Sequence, residues 1–159
     1  MNIFKIAIFG LCAFMFMTGC ETMDTASKFT RPVIKKRVFD ASYDVVWNAV
    51  LETVSSQGVE ITAADKNKGV ITFKKALTNK EAKEYIAPDS RIAWYRANAN
   101  GEVLIKEEDV GKITVVINMS FRGSISGSSG PLAQSHGGDT SGVFEEKVFY
   151  GIKNLVSGN

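Results

Sequence analysis

The side chains best suited to chemistry in this 159-residue chain are two cysteines, Cys12 and Cys20, and one histidine, His136. His136 has Ser135 before it and Asp139 three residues on, the residue types of a nucleophilic triad. A triad needs its base held rigidly against its nucleophile, and these three are near neighbours in a segment dominated by glycine and serine. Gly123-Ser124-Ile125-Ser126-Gly127 places isoleucine where a nucleophile elbow needs serine. Glu107-Glu108-Asp109 lacks the alternating spacing of a calcium loop and reads, with Val110-Gly111, as a solvated turn. Gly111-Lys112 is followed by Ile113 rather than the hydroxyl residue of a phosphate loop. No enzymatic activity, metal or cofactor is therefore expected. Trp94-Tyr95 offers binding chemistry instead. Strand alternation sends adjacent side chains to opposite faces, so one of the two would be exposed beside Arg91 and Arg96. Aromatic and guanidinium groups make good anchors for a partner; the competing expectation is a second core layer.

The thiols are explained by the amino-terminal segment. Lys5 is followed by an almost unbroken apolar run from Ile6 to Met17. Twelve residues make about 18 Å of helix, short of the roughly 30 Å hydrocarbon core, so an export signal fits better than a membrane span. The run closes in Met17-Thr18-Gly19-Cys20. This resembles the lipobox of bacterial lipoproteins, with Met17 in place of the usual leucine. The resemblance implies cleavage between Gly19 and Cys20 and a diacylglycerol on the Cys20 thiol, so that the residue carries several acyl chains such as palmitate. Several chains on one residue anchor durably where a single chain is marginal. Cys12 would leave with the signal, so the mature chain has one thiol and no internal disulfide. Glu21 follows, not the aspartate that commonly retains such proteins in the inner membrane, which favours the outer membrane, facing the periplasm; in a source with one membrane the anchor would be in the cell membrane.

Behind these residues stands a chain of ordinary globular composition, 45% hydrophobic and 23% charged, with a formal net charge of +2. That charge gives no case for nucleic acid. Residues 1–19 are expected to be the signal peptide, 20–32 a polar tether ending at Pro32, and 33–159 a single domain. Lys35-Lys36-Arg37 reads as the solvated start of a first strand over 33–40, whose main apolar residues are Val38 and Phe39. Ser42 is a suitable N-cap for an amphipathic helix over 43–57, with Tyr43, Trp47, Val50, Leu51 and Val54 at helical spacing and Gly58 as the stop. Residues 59–64 and 70–75 form a hairpin pattern about Asp65-Lys66-Asn67-Lys68-Gly69. Residues 78–86 suggest a short charged helix. Strands are expected at 91–96 and 102–106, with Asn98-Ala99-Asn100-Gly101 between them. Lys112 to Phe121 is the clearest strand: Ile113, Val115, Ile117, Met119 and Phe121 alternate with mostly polar residues. Gly and Ser fill 12 of the 20 positions in 123–142, which reads as a long mobile loop. A last helix over 143–156 carries Phe144, Val148, Ile152 and Leu155 on one stripe. The simplest packing is α+β: a two-layer arrangement of an antiparallel sheet with two helices on one face, in the order β-α-β-β-(β)-β-β-α.

Within this order, Phe39-Asp40-Ala41-Ser42-Tyr43-Asp44-Val45-Val46-Trp47, Gly58-Val59-Glu60-Ile61 and Asp65 to Ile71 resemble the repeating unit of BamC-like (NlpB-like) outer-membrane lipoproteins. They are also similar to a group of short bacterial lipoproteins of the same plan. The resemblance spans about 35 residues plus the anchor and implies a helix-grip fold, a curved sheet holding a long helix. BamC carries two such domains and a long tail region; this chain has room for one domain and lacks that region, so a part in outer-membrane protein assembly is not carried over. Two functions are then expected in order: a non-enzymatic envelope lipoprotein that binds a protein or cell-wall partner, and, by fold analogy, a module for a hydrophobic ligand or lipid.

Overall fold

The computed structural model describes residues 32–87, 94–125 and 135–158, with only the backbone of residues 94, 95, 125, 135 and 136. Nine elements follow one another: β1 (Lys36–Asp40), α1 (Tyr43–Ser56), β2 (Glu60–Asp65), β3 (Val70–Leu77), α2 (Asn79–Tyr85), β4 (Trp94–Asp109), β5 (Lys112–Ile125), β6 (Ser135–Gly138) and α3 (Val143–Val156). The strands form one antiparallel sheet in the order β1-β5-β4-β3-β2. β1 pairs with the first half of β5 and β6 with its second half. Since β1 and β2 lie at opposite ends of this path, α1 must carry the chain across the sheet between them. The result is the two-layer α+β arrangement that the order of elements implies.

Strand alternation assigns the core. Ile71 and Phe73 on β3, Ala97, Ala99, Val103 and Ile105 on β4, and Ile113, Val115, Ile117 and Phe121 on β5 are all buried. Val46, Trp47, Val50 and Val54 of α1 and Phe144, Val148, Phe149 and Ile152 of α3 cover them. Phe144 joins the layers: its ring stacks on Phe73 at 5.5 Å and meets Tyr85 of α2 edge-on at 5.7 Å. α2 is held by a capping box in which Thr78 and Glu81 exchange bonds, and Glu81 also pairs with Lys75 at 2.7 Å. Lys75 donates in turn to the carbonyl of Gln57 at the end of α1. One lysine thus joins a helix end, a strand and a cap. Ser42 occupies the N-cap of α1 in extended backbone, without a side-chain capping bond.

Several expectations change. Asn98 to Gly101 is no break; 94–109 is one sixteen-residue strand paired on both sides. The physical reason is alternation of small inward residues with polar outward ones, which a reading keyed to Asn and Gly takes for a turn. Gly101 lies opposite Phe73, and a Cβ there would stand 2.0 Å from the Phe73 ring, so the ring fills the space a side chain would need. Glu107 to Asp109 end β4, leaving only Val110-Gly111 as the turn. The Gly/Ser segment contributes 123–125 to β5 and 135–138 to β6; 126–134 lie outside the described residues. Val38 is 49% exposed because Phe39 takes the inward place beside it. Leu155 is 41% exposed: the buried arc of α3 runs through Glu145, Phe149 and Ile152, which leaves Leu155 at its margin.

Some of the residues that resemble the BamC-like unit, Tyr43, Asp44, Trp47, Lys66 and Gly69, converge at one corner. The Tyr43 hydroxyl donates to the Lys66 carbonyl at 2.8 Å, Asp44 pairs with Lys66 at 2.9 Å, and the Tyr43 ring stacks on Trp47. Gly69 has φ +67°, and a Cβ on it would lie 2.0 Å from the Ile105 carbonyl oxygen. The corner binds the start of α1 to the β2–β3 turn, a structural role for these residues.

Candidate functional site

The helices leave the other face of the sheet uncovered. The alternation that sends Ala97, Ala99, Gly101 and Val103 inward turns Asn98, Asn100 and Glu102 outward. Their neighbours by register complete three rows: Ala76, Asn98 and Arg122; Lys74, Asn100 and Ser120; Thr72, Glu102 and Asn118. Eight of these nine residues are polar. Adjacent strands lie about 4.8 Å apart and successive rows about 6.8 Å apart, so amide, hydroxyl and charged groups repeat on a regular grid. The charges largely cancel: Lys74 is paired with Glu60 at 3.0 Å, and Arg122 shares the face with Glu102. Thr62 and Thr72 share a hydrogen bond of 2.8 Å beside the grid. Two depressions open on this face, one of about 460 Å³ over Thr72, Asn100 and Ser120, and one of about 620 Å³ over Lys74, Asn98 and Arg122. Such a surface is equipped for hydrogen bonding to a polar partner. The described residues of the grid include no nucleophile set against a base.

Of the sequence-derived candidates, Gly19, Cys20 and Arg91 lie outside the described residues. Trp94 opens β4 opposite Ile125, and the pairing is irregular between Trp94 and Arg96. The side-chain directions of Trp94 and Tyr95 lie outside the described residues. Arg96 is exposed opposite Ser124, one row beyond Asn98 and Arg122. Ser135 and His136 stand on β6 opposite Ser124 and Gly123, and Asp139 follows, its carbonyl accepting from the Ala87 amide. Glu107 accepts from the Gly111 amide and Glu108 pairs with Lys36 at 2.9 Å, which occupies both acids structurally. Among the described residues, no group of three or more His, Cys, Asp or Glu converges as a metal site.

Four carboxyl groups among the described residues have displaced titrations, and all have structural partners: Lys68 lowers Asp65 and Lys36 lowers Glu108, while Glu81 and Glu145 are displaced within the fold. The Lys75 ammonium, with the Thr78 amide and hydroxyl, lowers Glu81 to about 2. Glu145 is fully buried in the first turn of α3 and its pKa is raised by that burial. Thr140 donates to its Oε2 at 2.9 Å and accepts from the Gly142 amide, while Oε1 has no hydrogen-bond partner. Sealed from solvent, Glu145 cannot reach a substrate.

Sequence reasoning missed the polar rows and Glu145. The signal for the rows was present, since Ala97-Asn98-Ala99-Asn100-Gly101-Glu102-Val103 has a strict period of two. Glu145 gave none, because an acid in a first helical turn is ordinarily a solvated partner of the helix dipole. Compared with known proteins, the chain matches no family model and no curated sequence.

Proposed function

We propose that this chain is a lipid-anchored, non-enzymatic binding module of the bacterial envelope, held to the outer membrane through Cys20 and facing the periplasm. The observation that carries the anchor is the apolar run ending in Gly19-Cys20. The uncovered polar face supports the binding half of the reading: an open, hydrogen-bonding, nearly charge-balanced surface suits a polar protein or cell-wall partner. Interfaces of this kind need not be more apolar than the rest of a protein surface. A ligand held between sheet and helices finds no support among the described residues, where Phe73, Phe121, Phe144 and Phe149 fill the interlayer space. A photo-crosslinking residue placed at Ser120 should capture a specific envelope component in intact cells, while the same residue at Tyr150, exposed on α3, should not. Equal, non-specific labelling from both positions would refute the assignment of the face.

A further inference from the structure

The open face is not polar throughout. The row after Thr72, Glu102 and Asn118 consists of Val70, Leu104, Val116 and Lys36. Val70, Leu104 and Val116 are half-buried, and Val38 beside them on β1 is 49% exposed. Ile34, two residues ahead of β1, is 42% exposed. An apolar strip thus ends at the β1 edge. Lysines border it: alternation puts Lys36, Lys106 and Lys112 on this face, and exposed Lys35 adjoins them. The acids nearby are Glu108, already paired with Lys36, Asp40 and Asp109, both opposite Lys112, and Glu107, which accepts from the Gly111 amide. The chain also enters the domain here, at Pro32, twelve residues after Cys20.

From these three features we propose that the β1 edge rests on an anionic phospholipid surface, with Val38 and Ile34 entering the headgroup region and the lysines facing lipid phosphates. This rests on the anchored reading above and deepens it. Twelve residues of tether keep the domain within about 40 Å of the bilayer, so a patch too weak to bind from solution is engaged at high effective concentration. Exposed apolar side chains ringed by cations are the ordinary means of such interfacial contact. The polar rows lie further along β4 and β5 and stay free for a partner.

The test uses the mature lipidated protein in vesicles of phosphatidylcholine with phosphatidylglycerol. Acylated Cys20 leaves no other thiol, so Val38→Cys and Ser120→Cys each accept one fluorescent label. A lipid-borne nitroxide is expected to quench the label at 38 several-fold more than the label at 120. The difference should shrink when phosphatidylglycerol is omitted or when Lys36→Glu and Lys106→Glu are added. Equal quenching at both positions in protein that floats with the vesicles would overturn the resting contact alone. So would a label at 38 shielded from lipid and water alike, which would assign the patch to a protein. Protein that fails to float would overturn the anchor and this proposal together.

Discussion

On the helix-covered face of the sheet, Ile71, Phe73, Val103, Ile117 and Phe121 are sealed beneath three helices; on the open face, the residues alternating with them are Thr72, Lys74, Glu102, Asn118 and Ser120. The two sets share the same strands and the same backbone hydrogen bonds, yet they answer to different constraints. The covered set must fill a fixed volume, as Phe73 does over Gly101. Among the described residues the open set has no helix packed over it and is at most half-buried. Stability and binding should therefore separate by face, and substitutions can test that separation.

The largest effect belongs to Phe144→Ala. It removes the ring between Phe73 and Tyr85 and should cost about 3–5 kcal/mol in urea unfolding. Glu81→Gln comes next, at about 1–2 kcal/mol near neutral pH, because it loses a charge-assisted pair with Lys75 at 2.7 Å. Its pH dependence has a definite sign. A folded pKa of about 2 against an ordinary 4.5 means the carboxylate stabilises above 4.5 and loses that contribution as pH falls towards 2. The gap between wild type and Glu81→Gln should close across that window. Glu145→Gln should behave oppositely. Burial raises this carboxyl above 4.5, so the folded state favours the protonated acid, and ionisation costs stability as pH rises. The glutamine variant should gain on wild type as pH rises above the ordinary 4.5, with the difference vanishing below it. The smallest stability effect is expected on the open face. Asn98→Ala with Ser120→Ala should shift unfolding by no more than about 0.5 kcal/mol while abolishing partner capture. A large loss of stability there would break the comparison.

What the sequence made legible follows from the same contrast. The α1 and α3 helices and the inward residues of β5 could be read because each is fixed by local periodicity, whereas β6 lay within a segment whose glycines and serines read as loop. The unbroken β4 could not, since its inward positions are Ala97, Ala99 and Gly101, and small residues give no hydrophobic signal. At Gly101 the facing Phe73 ring is the reason, and that pairing is a tertiary fact. The same holds for Glu145, whose burial depends on Thr140 and the chain around Gly142 rather than on its own turn of helix. Of the proposed site, the anchor rests on the sequence motif alone. The polar rows were visible as alternation but obscured by the turn-forming reputation of Asn and Gly.

The most direct measurement is the intact mass of the mature protein purified from membranes, with fragmentation of its first peptide. Membrane anchoring predicts an amino-terminal Cys20 carrying diacylglycerol and acyl chains, with residues 1–19 absent. An unmodified Cys20 thiol, or a chain still beginning at Met1, would contradict it.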